Sequence, residues 1–284
     1  MDPLNRPYRS VLYIPASKER ALDKARGLPV DAIIFDLEDA VTPDEKETSR
    51  ETLKAALAQG GYGNRARIVR INGLDTPWGR ADAKAVRDMN ADAVLLPKVG
   101  RAADLDALAD ITGDLPVWAM METPAGMLNA AEIAAHPKLQ GMVMGTNDLA
   151  KELQTRFRVD REPMLTSLGL CLLAAKAYGR IIVDGVFNAY LDEAGLKAEC
   201  DQGRDMGFDG KTLIHPAQVE VTNTAFAPSE EEIDLARRQI AAFEDMQRAG
   251  QGVAVVDGKI VENLHVETAQ KTLAKAAAIA VLAN

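Results

Sequence analysis

Glu122 and Asp148 each close a short apolar run, in the segments PVWAMMET and GMVMGTNDL. Carboxylates delivered by neighbouring strands can converge on a hard divalent cation and still leave positions for water and ligand oxygens. Mg²⁺ favours that mixture of few protein carboxylates with other oxygens. The structural alternative is that Asp148 caps the following helix while Glu122 pairs with Arg70 or Lys98. Asp36, Glu38 and Asp39 end another apolar run, IIFDLED, and their charge suits hydrogen bonding to metal-bound waters. Arg70 ends the run RIVR; its planar fork can grip a carboxylate through two nitrogens or form an internal ion pair with the acidic cluster. Zinc is disfavoured, because the chain has 3 histidines and none share a ligand-like spacing.

Further candidates carry weaker signals. Lys18, Arg20, Lys24 and Arg26 fall together in SKERALDKAR. They make either a solvated helix face or a grip for a phosphate-bearing ligand reaching over a rim. His215, before Pro216, is assigned at most a substrate contact. Cys171 lies in the apolar stretch SLGLCLLAAKAYG and reads as core, and Cys200 has no identifiable base beside it. No GxGxxG follows a strand and no Walker loop occurs, which disfavours nicotinamide and NTP-driven chemistry.

These residues need a scaffold, and the chain supplies a regular one. Runs rich in Val, Ile and Leu recur at 10–15, 32–38, 67–72, 93–99, 116–123, 141–149, 181–188 and 211–215. Most are separated by segments of helical periodicity. Strands apolar on both faces, alternating with helices, predict a parallel sheet covered by helices. Eight such strands predict a closed (β/α)₈ TIM barrel. Thr42-Pro43, Thr76-Pro77, Thr123-Pro124 and the box Ser229–Glu232 mark helix starts. In such barrels function collects at the C-terminal strand ends. There the sequence puts Pro15, Asp36, Arg70 with Asn72, Lys98, Glu122, Asn147 with Asp148, Asp184 with Asn188, and His215. Together they predict a charged basin at one mouth.

The barrel domain is expected over residues 1–227. A tail over 228–284 follows: a helix at 229–248, a Gly-rich break with β character around Val253–Val256 and a turn at Asp257-Gly258, then an Ala-rich helix from His265. This tail is expected to act as a lid or an oligomer contact. The 284 residues are 47% apolar and 26% charged, enough for a large core and incompatible with global disorder. A net charge of -9 argues against a nucleic-acid partner. Two cysteines suit a reducing cytoplasm. No apolar h-region opens MDPLNRPYRS, and no later stretch reaches the roughly 20 apolar residues of a membrane span.

The segments RSVLYIPASKERALDKA, IIFDLEDAV, VRIN, LLPKV, METPAG, MGTNDLAKEL, GFDGKTLIHPAQ and VDGKIVENLHVETA occur in one order from Arg9 onward. This set resembles the citrate lyase β-subunit-like branch of the HpcH/HpaI aldolase superfamily, which includes malyl-CoA and citramalyl-CoA lyases and a malyl-CoA thioesterase. The resemblance implies a Mg²⁺-dependent barrel, with Mn²⁺ as a possible substitute, acting on short hydroxyacyl-CoA esters as a homotrimer or dimer of trimers. By motif, Glu122 and Asp148 would be the metal ligands and Arg70 would hold the substrate's carboxylate. Tyr13, Lys18, Lys24, Asn147, Ile214 and His215 would contact the acyl or CoA portion. Arg70, Asp36 and Glu262 are the expected catalytic groups.

One departure stands out. The lyase tail usually reads like DGKMID, then one residue and Pro, and its second Asp reaches a neighbouring subunit's site as an acid. Here Glu262 takes that Asp's place and Leu264 replaces the Pro. The expected reaction is carbon–carbon cleavage of a malyl-CoA-type ester to acetyl-CoA and a 2-oxo acid. Hydrolysis of the thioester is the alternative, raised by the altered tail.

Overall fold

The computed structural model describes residues 6–250 and 252–283. Met1–Asn5 of the leading segment, Gln251 of the Gly-rich break and the terminal Asn284 lie outside the described residues. Two compact units divide the chain, one spanning Tyr8–Phe226 and the other taking the C-terminal stretch from Ala227.

In the first unit, β1 (Ser10–Pro15), β2 (Ala32–Asp36), β3 (Ala66–Arg70), β4 (Ala93–Leu96), β5 (Val117–Met121), β6 (Leu139–Met144), β7 (Ile181–Asp184) and β8 (Gly210–Leu213) close into a parallel barrel. Closure is made by β8 pairing with β1, Lys211 opposite Val11. The eight strands are the predicted ones; β1 matches its apolar run and the other seven are shorter than theirs. The largest difference is at β6, where residues after Met144 leave the strand and Thr146–Leu153 form a helix, α7 in chain order. Asn147 and Asp148 therefore stand on the first helical turn, Asp148 beside its positive dipole end.

Alternation along each strand sorts its side chains. Val11, Ile34, Ile68, Leu95, Trp118, Met120, Val143 and Val183 fill the barrel interior. Leu12, Ile33, Phe35, Val69, Val94, Ala119, Met142, Ile182 and Leu213 belong to the larger cluster beneath the helices. Near the barrel floor Trp118 packs against Tyr8 at 5.3 Å. A Cβ on Gly141 would come within 2.7 Å of that indole, so only glycine lets β6 pass the ring.

The second unit, described by itself, holds α11 (Glu230–Arg248), the hairpin β9 (Ala254–Val256) and β10 (Lys259–Val261), and α12 (Asn263–Ala283). Ser229 and Glu232 form the expected capping box at the start of α11. Asp257, at φ 51°, and Gly258, at φ 74°, make the two-residue turn of the hairpin. Among the described residues, no helix is long and apolar enough to cross a membrane.

Candidate active site at the barrel mouth

The period of two that fills the barrel also sets its top layer. Asp36 stands two residues beyond inward-facing Ile34, Arg70 beyond Ile68, Glu122 beyond Met120 and Tyr13 beyond Val11. All four line a cavity of 360 Å³ at the C-terminal strand ends, together with Asp39, Asn147, Asp148, Met120, Met144 and Ile214.

Arg70 is only 7% exposed and is ringed by carboxylates. Its Nε and Nη2 donate to the two oxygens of Asp36 at 2.8 and 2.6 Å. The bidentate fork foreseen for a ligand carboxylate is thus closed on Asp36. Nη1 lies between two carboxylates, 2.9 Å from Glu38 Oε2 and 3.4 Å from Asp39 Oδ2. The Glu38 contact is out of hydrogen-bond alignment, so that buried oxygen accepts no bond. The guanidinium lies 5.0 Å over the Tyr13 ring. Asp36 is saturated, since it also accepts the backbone N–H groups of Glu38 and Ala40 at 2.8 and 3.0 Å.

Glu122, almost fully buried, pairs with neither Arg70 nor the Lys98 ammonium; its Oε1 accepts the Lys98 backbone N–H at 2.8 Å. Lys98 can aim that N–H because its backbone is left-handed, φ 54°, a strained conformation for a residue with a Cβ. Across the cavity Gly145 precedes α7. A Cβ there would lie 2.6 Å from Glu122 Oε2, so glycine makes room for the carboxylate.

Negative charge exceeds positive charge in this cavity. Burial, reinforced by Glu38, pushes the Glu122 carboxyl up to about 8. Burial pushes Glu38 up to about 7, with Arg70 pulling the other way. Burial lowers the Lys98 ammonium, but Asp148 and the other carboxylates outweigh it and the net shift is upward. Burial also raises the Tyr13 hydroxyl, so it stays protonated.

The remaining sequence candidates separate by position. Ile214 is on the cavity wall, and Asn147, also there, exchanges amide hydrogen bonds with Asn188 at 3.2 and 2.8 Å. Lys18 is exposed and pairs with Glu45 at 3.1 Å, while Lys24 is an exposed residue of α1 (Glu19–Ala25). His215 Nδ1 accepts the Ala217 N–H at 3.1 Å, and its ring stacks on Tyr190 at 4.5 Å. Glu262 belongs to the second unit, where its carbonyl accepts the first N–H groups of α12. Asp184 departs from the expected basin. It follows inward-facing Val183, so it points outward and is buried against Lys211 and Arg161 at 3.2 and 2.6 Å. The sequence reading also gave no sign of the strained Lys98 or of Gly145. Cys171 and Cys200 are both buried, with their thiols pushed up by burial to about 12 and about 11.

A closed parallel barrel whose mouth gathers carboxylates around one arginine is the frame of an α/β-barrel enzyme. The chain belongs to the HpcH/HpaI aldolase/citrate lyase family, matched over residues 9–216. It is 70% identical over 274 residues to a (3S)-malyl-CoA thioesterase of Cereibacter sphaeroides, covering 96% of both chains. It is 35% identical over 283 residues to the citrate lyase subunit beta of Escherichia coli, covering 95% of this chain and 94% of that one. The crystal structure of CitE from Mycobacterium tuberculosis with magnesium, acetoacetate and coenzyme A superposes with a TM-score of 0.81 at 31% identity, over 96% of this chain and 99% of that one.

Proposed function

We propose that the protein hydrolyses a malyl-CoA-type thioester to malate and free CoA. The observation that carries this reading is the 70% identity to a (3S)-malyl-CoA thioesterase across nearly the whole of both chains. It reverses the order expected from the sequence, where carbon–carbon cleavage stood first.

Mg²⁺, with Mn²⁺ as substitute, fits the residues present. The donors are hard carboxylate oxygens, and the raised Glu122 carboxyl marks negative charge that lacks a counter-ion. Among the described residues, no group of three or more His, Cys, Asp or Glu side chains is gathered to hold a metal alone. Mg²⁺ tolerates this because it keeps water and substrate oxygens as ligands. Glu122 and Asp148 would hold the ion, which when bound polarises ligand oxygens and offsets accumulating negative charge.

The chain's own groups do the rest. Arg70, fixed by Asp36, turns Nη1 toward the incoming malyl carboxylate and orients it. Tyr13 supports the guanidinium from beneath. Ile214 and Asn147 are assigned to the acyl chain, and Lys18, Lys24 and His215 to the CoA phosphates and pantetheine. The likeness to citrate lyase subunits favours a second reading, carbon–carbon cleavage, in which Glu262 of a neighbouring chain protonates the departing thioester enolate. The 228–284 tail then serves as a lid, in a homotrimer or dimer of trimers working in the cytoplasm.

Incubation of the purified protein with malyl-CoA and Mg²⁺, with products identified by mass spectrometry, separates the readings. Malate plus CoA is expected. Acetyl-CoA plus glyoxylate would select cleavage, and absence of turnover would sink both.

A further inference from the structure

We propose that Asp39 is the base that takes a proton from the attacking water, and that Arg70 holds it in reserve until a substrate carboxylate displaces it. The inference rests on the hydrolytic reading and names the group that reading lacks.

Four carboxylates line the cavity: Asp36, Asp39, Glu122 and Asp148. Asp36 already accepts four hydrogen bonds, two from Arg70 and two from backbone N–H groups, so no lone pair is left for a water proton. Glu122 and Asp148 are committed to the cation. Glu38 is not on the cavity wall; its side chain lies behind, beside Arg70. Asp39 alone is both on the wall and unspent. Its side chain is 64% exposed, and its hydrogen bond is the long 3.4 Å contact to Arg70 Nη1.

That contact matters because of which nitrogen it uses. Nε and one N–H of Nη2 are spent on buried Asp36, and Glu38 Oε2 beside Nη1 takes no hydrogen bond, so Nη1 is the nitrogen whose existing bond an entering carboxylate can most readily replace. A 3.4 Å exposed contact yields to a well-aligned charge-assisted bond more readily than the 2.6 and 2.8 Å buried pair. Substrate binding thus releases Asp39 beside the thioester. Water oxygen bonds to the carbonyl carbon, the carbonyl pair moves onto oxygen, and Asp39 takes one water proton. On collapse the C–S pair leaves with sulfur, Asp39 returns its proton to that sulfur, and the new carboxylic acid ionises to solvent.

The test is steady-state hydrolysis of malyl-CoA with Mg²⁺, reading free thiol and malate. Asp39→Asn is expected to lower kcat by about 100-fold or more, the scale of general-base catalysis. Its KM is expected to fall severalfold, because the competitor for Nη1 has lost its charge. In Asp39→Ala, formate is expected to restore turnover about tenfold while leaving the wild type unaffected, with the melting temperature within about 2 °C of wild type because the side chain is exposed. A kcat within threefold of wild type, a raised KM, or no response to formate in a folded variant would each overturn the assignment. Acetyl-CoA plus glyoxylate from the wild type would overturn the hydrolytic reading together with it; a hydrolytic wild type with a fully active Asp39→Asn would overturn Asp39 alone.

Discussion

Two buried charged clusters share this barrel, and they are built to opposite ends. Outside β7 and β8, Asp184 and Glu199 meet Lys211 and Arg161 at 2.6 to 3.6 Å, two anions against two cations. At the mouth, Asp36, Glu38, Asp39, Glu122 and Asp148 share Arg70 and Lys98. The acid strengths record the difference. Burial alone would raise the Asp184 carboxyl, yet Lys211 and Arg161 outweigh it and hold the group below its ordinary range. Glu38 and Glu122, where burial outweighs the pull of Arg70, rise to about 7 and about 8. A balanced buried network fixes a fold, whereas an unbalanced one is ready for a cation and a ligand.

Removing one charge from each cluster should therefore act in opposite directions. Lys211→Met leaves Asp184 and Glu199 with Arg161 alone and should cost about 3 to 5 kcal/mol. That corresponds to a melting temperature lower by roughly 10 °C. Activity per folded molecule should stay within twofold. Glu122→Gln should lower turnover by about 1000-fold, the scale of a lost group that acts on the reacting oxygens, while the metal-free melting temperature holds or rises. A Glu122→Gln variant that melts well below wild type would erase the contrast.

Mg²⁺ at about 100 times its Kd should add close to 2.7 kcal/mol to wild-type stability. Differential scanning calorimetry should find no such gain in Glu122→Gln. The smallest effect concerns pH. The Glu38 carboxyl titrates near 7 in the folded chain against 4.5 in an unfolded one, so the folded state holds the proton more tightly. Its contribution to stability is whole below about pH 4.5 and is lost as pH rises through about 7. In EDTA the wild type should lose on the order of 1 to 2 kcal/mol from this group between pH 5 and 8. Glu38→Gln should flatten that slope; an unchanged slope in thermal melts would remove Glu38 as its source.

The strand count, the alternation with helices and the acidic and basic strand ends were legible because they are local. So were the Ser229–Glu232 box and the Asp257-Gly258 turn, since capping and turn chemistry act over two to four residues. The direction of the strand-end groups was harder. Asp184 read as a mouth residue like Asp36, yet one follows an inward side chain by one position and the other by two. The strained Lys98 left no mark either, because its backbone is set by the Glu122 carboxylate from the next strand.

Sequence by itself determined a closed set of eight parallel strands, the chemical types of the groups at their ends, and the two-carboxylate, one-arginine composition of the mouth. Tertiary structure decided which of those groups face one another. The reason is that both faces of every barrel strand are buried, so both are apolar and the alternation carries no polarity signal. Only closure of the barrel turns Asp36, Arg70 and Glu122 inward, commits the arginine's fork to Asp36, and sets Nη1 between Glu38 and the cavity-lining Asp39.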